Sequence, residues 1–161
     1  MLVLPPNRES KEITLQFRSI TASTARPLRE AVLYTPETVD FAYYEGDDAA
    51  TSCHFGAYDA SQLVAIVSIL QVPAPFPTPL PPPHFRLRGL AVLPQRQGQG
   101  IGFALMQHLL HTHQQQHPDT LIWCNVRVPQ QGFYLKLGFT TIGDEFVYNT
   151  RPHVQMSFNT K

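Results

Sequence analysis

The stretch from Arg86 to Leu110 constrains the fold more than any other part of the chain. It begins with a β-strand pattern that ends at Pro94, because proline has no N–H for a sheet ladder. A glycine-rich segment follows at 97–102, with the sequence QGQGIG. From Ile101 onward the apolar residues recur at spacings of three and four, which predicts a helix. The stretch therefore predicts a strand, a glycine loop and a helix start in direct succession.

Alternation along the predicted strand assigns its side chains to two faces of a sheet. One predicted face carries Leu87, Gly89, Ala91 and Leu93, and the other carries Arg88, Leu90 and Val92.

A glycine loop that leads into a helix is suited to binding an anion. Glycine lets the backbone approach a ligand without a Cβ in the way. The first N–H groups of a helix have no partner within the helix, and a phosphate or pyrophosphate satisfies them. A dinucleotide motif that starts at Gly98 would need glycine at Phe103, and a Walker A loop would need Gly-Lys-Ser/Thr, so neither is present. The alternative is a tight turn whose glycines serve close packing only.

A second motif lies further along the chain, at 133–139, with the sequence FYLKLGF. It follows a predicted strand, Thr120–Val126, and together with the Q-x-x-G-x-G pattern at 97–102 it resembles the GNAT superfamily of N-acetyltransferases. The resemblance extends from Ile13 to Phe158, and the segments 123–127 and 152–156 are further similar to uncharacterised bacterial members. It implies an α/β (α+β) fold: a mixed, mostly antiparallel central sheet of about six to seven strands flanked by helices on both faces.

The resemblance implies acetyl-CoA as co-substrate, with a defined set of contacts and no metal. In this family the strand at Leu90, Ala91 and Val92 carries a bulge and diverges from the next strand, so that the pantetheine arm enters the gap. A backbone N–H of those residues would stabilise the thioester oxygen. Asn125 would bond to the arm or orient the following helix, although an amide also suits the end of a strand. The residues implied in binding the pyrophosphate are Gln97, with its side chain as an added donor, Gly98, Gln99, Gly100, Ile101 and Gly102.

The resemblance also suggests roles for four side chains in catalysis. Tyr134 matches the tyrosine that protonates the leaving CoA thiolate, and the alternative is a core aromatic at a helix end. The general base is not given by the sequence. Glu145, His153 and Glu45 are the candidates. The alternatives are a water chain in place of all three, or a structural role for each of them. We take Tyr134 and Glu145 as the predicted catalytic residues and place Glu45 and His153 on the acceptor side.

Two other groups of polar residues have simpler interpretations. The helix after the glycine loop carries histidines, of which 108 and 111 would lie on one side and 113 and 117 on the other, so a polar helix face is favoured over a metal site. An earlier helix, with Ser23 or Thr24 as cap and Pro27 in its first turn, would expose Arg26 and Arg29 to solvent.

The loop 34–50 combines acidic and aromatic side chains. It contains Tyr43, Tyr44, Glu45, Asp47 and Asp48. Such a loop is either an ordinary solvated loop or a site that receives a cationic amine.

Length and composition favour a single domain. The chain has 161 residues with a formal net charge of zero, which disfavours nucleic acid or an anionic membrane as partner. Cys53 and Cys124 lie in strand-like runs, which favours buried thiols in a cytoplasmic protein over a disulfide scaffold. Residues 1–10 are predicted as a loose lead-in, and 72–83 as a stiff proline-rich loop.

The predicted function is transfer of an acetyl group from acetyl-CoA to a primary amine, by direct attack on the thioester. The acceptor would be a small-molecule amine, or the N-terminus or a lysine of a peptide. Similar proteins commonly form homodimers through their C-terminal strands. One alternative is a non-catalytic acyl-CoA-binding sensor or interaction module. Another is a peptide-recognition role for the prolines at 79–83.

Overall fold

The computed structural model describes residues 14–161, so the predicted lead-in at 1–10 lies outside the described residues. The strands are β1 (Leu15–Ile20), β2 (Cys53–Asp59), β3 (Gln62–Gln71), β4 (His84–Val92), β5 (Leu121–Arg127), β6 (Thr140–Tyr148) and β7 (Arg151–Asn159). The helices are α1 (Ala22–Leu33), α2 (Ile101–Gln116) and α3 (Gln131–Leu137). The predicted fold class is confirmed: a mixed, mostly antiparallel sheet with helices on both faces.

All seven strands belong to one sheet, in the order β1-β2-β3-β4-β5-β7-β6. Only the central pair, β4 and β5, is parallel, because α2 carries the chain back to the same end of the sheet. Helix α1 packs on one face of the sheet, and α2 and α3 pack on the other. Strand β3 lies between the two helical layers, and its residues 64–70 are almost inaccessible to solvent. This burial agrees with the apolar, β-branched sequence of the strand.

The sheet divides at its centre. Strands β4 and β5 pair only through three residue pairs, the last of which is Arg86 with Trp123. Beyond that pair β4 and β5 are not paired with each other, although β4 stays paired with β3 and β5 with β7. A gap therefore opens between β4 and β5, as the resemblance implied.

A bulge in β4 exchanges its two faces. Ser68 pairs with Arg88 and Ile66 pairs with Ala91, so β4 has one more residue than β3 between those pairs. Gly89 adopts φ +68° there, a backbone conformation that glycine reaches without the steric cost of a Cβ. The predicted faces of this strand are therefore wrong after Arg88. Leu90 joins the α2 side of the core, and Ala91 joins the α1 side.

Helix α1 starts earlier than the sequence suggested. Thr21, not Ser23 or Thr24, is the N-cap, and its hydroxyl accepts a hydrogen bond from the backbone N–H of Thr24 at 3.1 Å. Pro27 consequently lies inside the helix rather than in its first turn. The helix also does not expose Arg29 to solvent, since this side chain is fully buried.

The histidines in and just after α2 do not form one polar face, since His111 is exposed but the other three pack against aromatic rings. His113 is buried and its ring lies 4.4 Å from that of Phe85, while His117 lies 4.9 Å from the same ring. His108 stacks on Phe17 at 5.0 Å. Burial, together with the nearby His117, lowers the pKa of His113 to about 4. Among residues 14–161, no group of three histidine, cysteine, aspartate or glutamate side chains is placed to hold a metal ion.

The proline-rich segment 72–83 contains no helix or strand and is held against the sheet. The indole N–H of Trp123 donates to the carbonyl of Val72 at 2.9 Å. The ring of His84 accepts from the N–H of Ala74 and donates to the carbonyl of Leu80. These bonds fix the loop at both ends. In the part of the chain that the structure describes, no helix is long and apolar enough to cross a membrane.

Candidate active site

The glycine loop forms an open cradle at the start of α2. Gly98 and Gly100 have φ values of +75° and +80°, and a Cβ added at either would meet no atom within 4 Å. The backbone N–H groups of residues 98–103 form no hydrogen bond within the described part of the chain. Ile101 is buried and fixes the helix start against the core. The cradle therefore presents a row of free donors at the positive end of a helix, as an anionic ligand requires.

Side chains around the cradle fix its shape. The amide of Gln97 donates to the carbonyl of Val92 at 3.0 Å, so it braces the loop against the end of β4 instead of extending outward as a further donor. Arg96 donates to the side chain of Gln99 at 3.1 Å and forms an ion pair with Asp59 at 2.9 Å. Gly102 lies close to β4, since a Cβ there would be 3.4 Å from Val92.

The gap between β4 and β5 continues from the cradle. Leu90, Ala91 and Val92 form its β4 wall after the bulge, and Asn125 lies on β5 opposite. The Asn125 side-chain oxygen is buried and has no hydrogen-bond partner within residues 14–161. An unsatisfied buried acceptor beside a gap is suited to a donor group on a ligand.

Tyr134 lies on α3, on the α2 side of the sheet. It is 9% exposed and packs against Phe133 and Phe139. Burial raises the pKa of the Tyr134 hydroxyl, and the neighbouring thiol of Cys124 on β5 adds to the effect. A raised pKa keeps the phenol protonated, which is the state that a proton donor needs.

The three candidate bases lie at different distances from the gap. His153 is on β7, beside β5, where it pairs with Arg127. Its Nδ1 donates to the carbonyl of Arg151 at 2.8 Å, so in the neutral ring Nε2 carries the lone pair. Glu145 is exposed on β6, the edge strand, which lies about 10 Å from β5 because β7 intervenes. Glu45 is exposed in the loop after α1.

The acidic loop is largely paired within the protein. Asp47 is buried and accepts two hydrogen bonds from the guanidinium of Arg29, at 2.7 and 3.1 Å. Burial alone would raise the pKa of Asp47, but hydrogen bonds from Arg29 and from the backbone of Tyr44 lower it further than that, so the net pKa lies below its ordinary value. Asp48 accepts from the hydroxyl of Tyr43 at 2.8 Å.

Reasoning from the sequence missed a set of groups on the α1 side of the gap. Arg86 lies over the ring of Trp123 with its Cζ 5.0 Å from the centroid. Arg88 and Arg29 both lie with Cζ 3.9 Å from the centroid of the Tyr44 ring, so this ring contacts both guanidiniums. Gly89 leaves room for this stack, since a Cβ there would be 3.1 Å from the Tyr44 ring. The sequence signal that could have identified this group is the pair Arg86 and Arg88, at alternate positions of the predicted strand.

Comparisons with known proteins agree with this geometry. A family model described as an acetyltransferase (GNAT) domain matches residues 40–160. The uncharacterized N-acetyltransferase YitI of Bacillus subtilis (strain 168) is 28% identical over 132 residues, which covers 82% of this chain and 87% of YitI.

Two solved structures show the same fold. Escherichia coli ElaA has a TM-score of 0.74 at 19% identity, covering 89% of this chain and 99% of ElaA. A Bacillus subtilis acetyltransferase solved in complex with CoA has a TM-score of 0.63 at 15% identity, covering 91% of this chain and 99% of that protein.

Proposed function

The chain belongs to the GNAT family of acetyltransferases, and on that premise we propose that it transfers an acetyl group from acetyl-CoA to the primary amine of a small acceptor. One observation carries the proposal: the free N–H groups of residues 98–103 lie at the end of the same β4 strand that borders the gap. A pyrophosphate on those donors places the pantetheine arm along the gap. The exposed edge of β4 then supplies the hydrogen bonds that a neighbouring strand would make.

In the proposed reaction the amine nitrogen attacks the thioester carbonyl directly. A backbone N–H of Leu90, Ala91 or Val92 donates to the oxygen as it gains charge. The carbon–sulfur bond breaks, and the CoA sulfur takes a proton from the hydroxyl of Tyr134. The proton lost by the amine passes to Nε2 of His153, directly or through water. We favour His153 over Glu145 because β7 adjoins β5 and β6 does not.

The donor site is tested by calorimetric titration of acetyl-CoA and of free CoA into the wild-type protein and a Gly100→Glu variant. Glutamate brings a negative charge into the cradle, so binding of both ligands should be lost. Gly143→Glu is the matched control, because Gly143 has a similar φ of +69° with open space around it, but lies on β6. Equal binding by wild type and Gly100→Glu, or none by wild type, would remove the donor site from this loop.

Catalysis is separated from mere binding by Tyr134→Phe, which removes the hydroxyl and keeps the packed ring. The proposal expects a loss of turnover on the order of 100-fold, with acetyl-CoA affinity retained. Unchanged turnover would show that another group protonates the thiolate. A folded wild-type protein that binds acetyl-CoA and transfers nothing to a broad set of amines would favour the sensor alternative.

A further inference from the structure

The α1 side of the β4–β5 gap carries two closely placed positive charges. Paired residues share a face of the sheet, so Arg86 and Trp123 lie on the same side. Arg88 pairs with Ser68, whose hydroxyl accepts a hydrogen bond from Arg29 of α1, so Arg88 lies on that side as well. Both arginines are partly buried, and they occupy alternate positions of β4 just before the bulge. The arrangement concentrates positive charge where an acceptor would approach the thioester.

These charges are not balanced by the protein. Among residues 14–161, neither Arg86 nor Arg88 lies within 4.0 Å of a carboxylate, whereas Arg29 is paired with Asp47. The Nε of Arg86 is buried and has no hydrogen-bond partner within the described part of the chain. Burial and the charge of Arg88 both lower the pKa of Arg86, which the nearby hydroxyl of Tyr148 offsets in part. Leaving a buried donor and a charge unpaired is costly, and a bound anion removes that cost.

Aromatic rings hold the two guanidiniums in place. Arg86 lies over Trp123 and Arg88 lies over Tyr44. Stacking uses the flat face of a guanidinium and leaves the N–H groups at its edge available. A carboxylate matches that edge with two parallel hydrogen bonds.

We propose that the acceptor is a small amine that carries a carboxylate, and that Arg86 and Arg88 bind this carboxylate at the closed end of the gap. The proposal rests on the proposed acetyl transfer and specifies its substrate class. Leu90 lies two positions after Arg88 along β4, which is at most about 7 Å. An amine beside the bulge and a carboxylate beside Arg88 are therefore spanned by an amino acid in which one to three carbons separate the two groups. The paired state of Asp47 and Asp48 argues in the same direction, since it leaves the neighbouring loop with few free negative charges.

The experiment measures acetyl transfer from acetyl-CoA to α-amino acids, β-alanine and γ-aminobutyrate, each beside its own carboxamide. In wild type we expect kcat/KM for the carboxylate form to exceed that for the carboxamide by about 10- to 100-fold. Arg86→Gln and Arg88→Gln should each raise KM for the carboxylate form about tenfold and leave the carboxamide unchanged. Arg86→Lys should keep part of the preference for the carboxylate form, since lysine keeps the positive charge but cannot donate two parallel hydrogen bonds to a carboxylate. Arg18→Gln is the control, because Arg18 is exposed on β1.

Calorimetric binding of acetyl-CoA to every variant distinguishes the possible failures. Equal rates for carboxylate and carboxamide, or a preference that survives both glutamine variants, would overturn the inference. So would acetyl-CoA binding without transfer to any carboxylate in the panel, and this outcome leaves the donor site standing. A tenfold loss of acetyl-CoA affinity in the glutamine variants would assign the arginines to the donor and overturn the inference too. If the wild type does not bind acetyl-CoA, the proposed function itself fails.

Discussion

Replacement of Asp47 by asparagine should destabilise the protein severely. The side chain of Arg29 is fully buried, and its guanidinium donates to both carboxylate oxygens of Asp47, to the carbonyl of Ala42 and to the hydroxyl of Ser68. Asparagine keeps the size of the side chain but removes the only charge that is hydrogen-bonded to this guanidinium among residues 14–161. Removing one partner of a buried ion pair costs about 3–5 kcal/mol of unfolding free energy. For a protein of this length, that lowers Tm by on the order of 10 °C.

The assay is denaturant unfolding, with thermal unfolding as a second measure. Asp48→Asn is a matched control one residue away. Asp48 is exposed and, among the described residues, accepts only from Tyr43, so the loss of its charge should cost less than about 0.5 kcal/mol. If Asp47→Asn does not fold, the double variant Arg29→Met with Asp47→Leu should recover folding, because it removes both charges of this buried ion pair. Asp47→Asn within about 1 kcal/mol of wild type would refute the claim that the buried charge of Arg29 depends on this carboxylate.

Two further predictions concern the helices. Thr21→Ala should cost about 1 kcal/mol of unfolding free energy because it removes the cap of α1, whereas Ser23→Ala should cost little. Denaturant unfolding of both variants checks this. A larger loss for Ser23→Ala than for Thr21→Ala would show that Ser23 is the cap. The pKa of His113 is about 4 in the folded protein and 6.5 ordinarily, so the unfolded chain takes up the proton first as the pH falls. The free energy of unfolding should therefore decrease by on the order of 3 kcal/mol as the pH is lowered from 6.5 to 4. His113→Leu should flatten this part of the stability–pH curve. His111→Leu, at an exposed position of the same helix, should not. Equal curves for both variants would contradict the claim that His113 causes the loss of stability.

The succession of strand, glycine loop and helix start around β4 and α2 was readable from the sequence, because each part carries a local signal. The proline after β4 and the apolar spacing from Ile101 onward each act within a few residues of the boundary they mark. The position of the glycine loop at the start of α2 followed from the same kind of signal.

The parts that were wrong depend on contacts between distant residues. The helix pattern places Arg29 on a polar face, because Asp47 and Ser68, whose side chains bind it, come much later in the chain. The bulge at Gly89 reverses the alternation of β4 in a way that only the register with β3 reveals. Arg86 and Arg88 were likewise not identified as a candidate site, since the argument for them depends on no carboxylate of residues 14–161 lying beside them. The roles of Tyr134, Asn125 and the candidate bases stay predictions.

The short contact between β4 and β5 also bears on how the protein responds to its ligand. In the part of the chain that the structure describes, three residue pairs are the only strand pairing between the half-sheet β1–β4 and the half-sheet β5–β7–β6. A pantetheine arm bound in the gap would contact both half-sheets, so the two halves would unfold more cooperatively. Ligand that binds only the folded state stabilises it by mass action, so the cooperativity and midpoint of unfolding should depend on acetyl-CoA concentration. The bound donor substrate would then contribute contacts between the two half-sheets that are lost each time it dissociates.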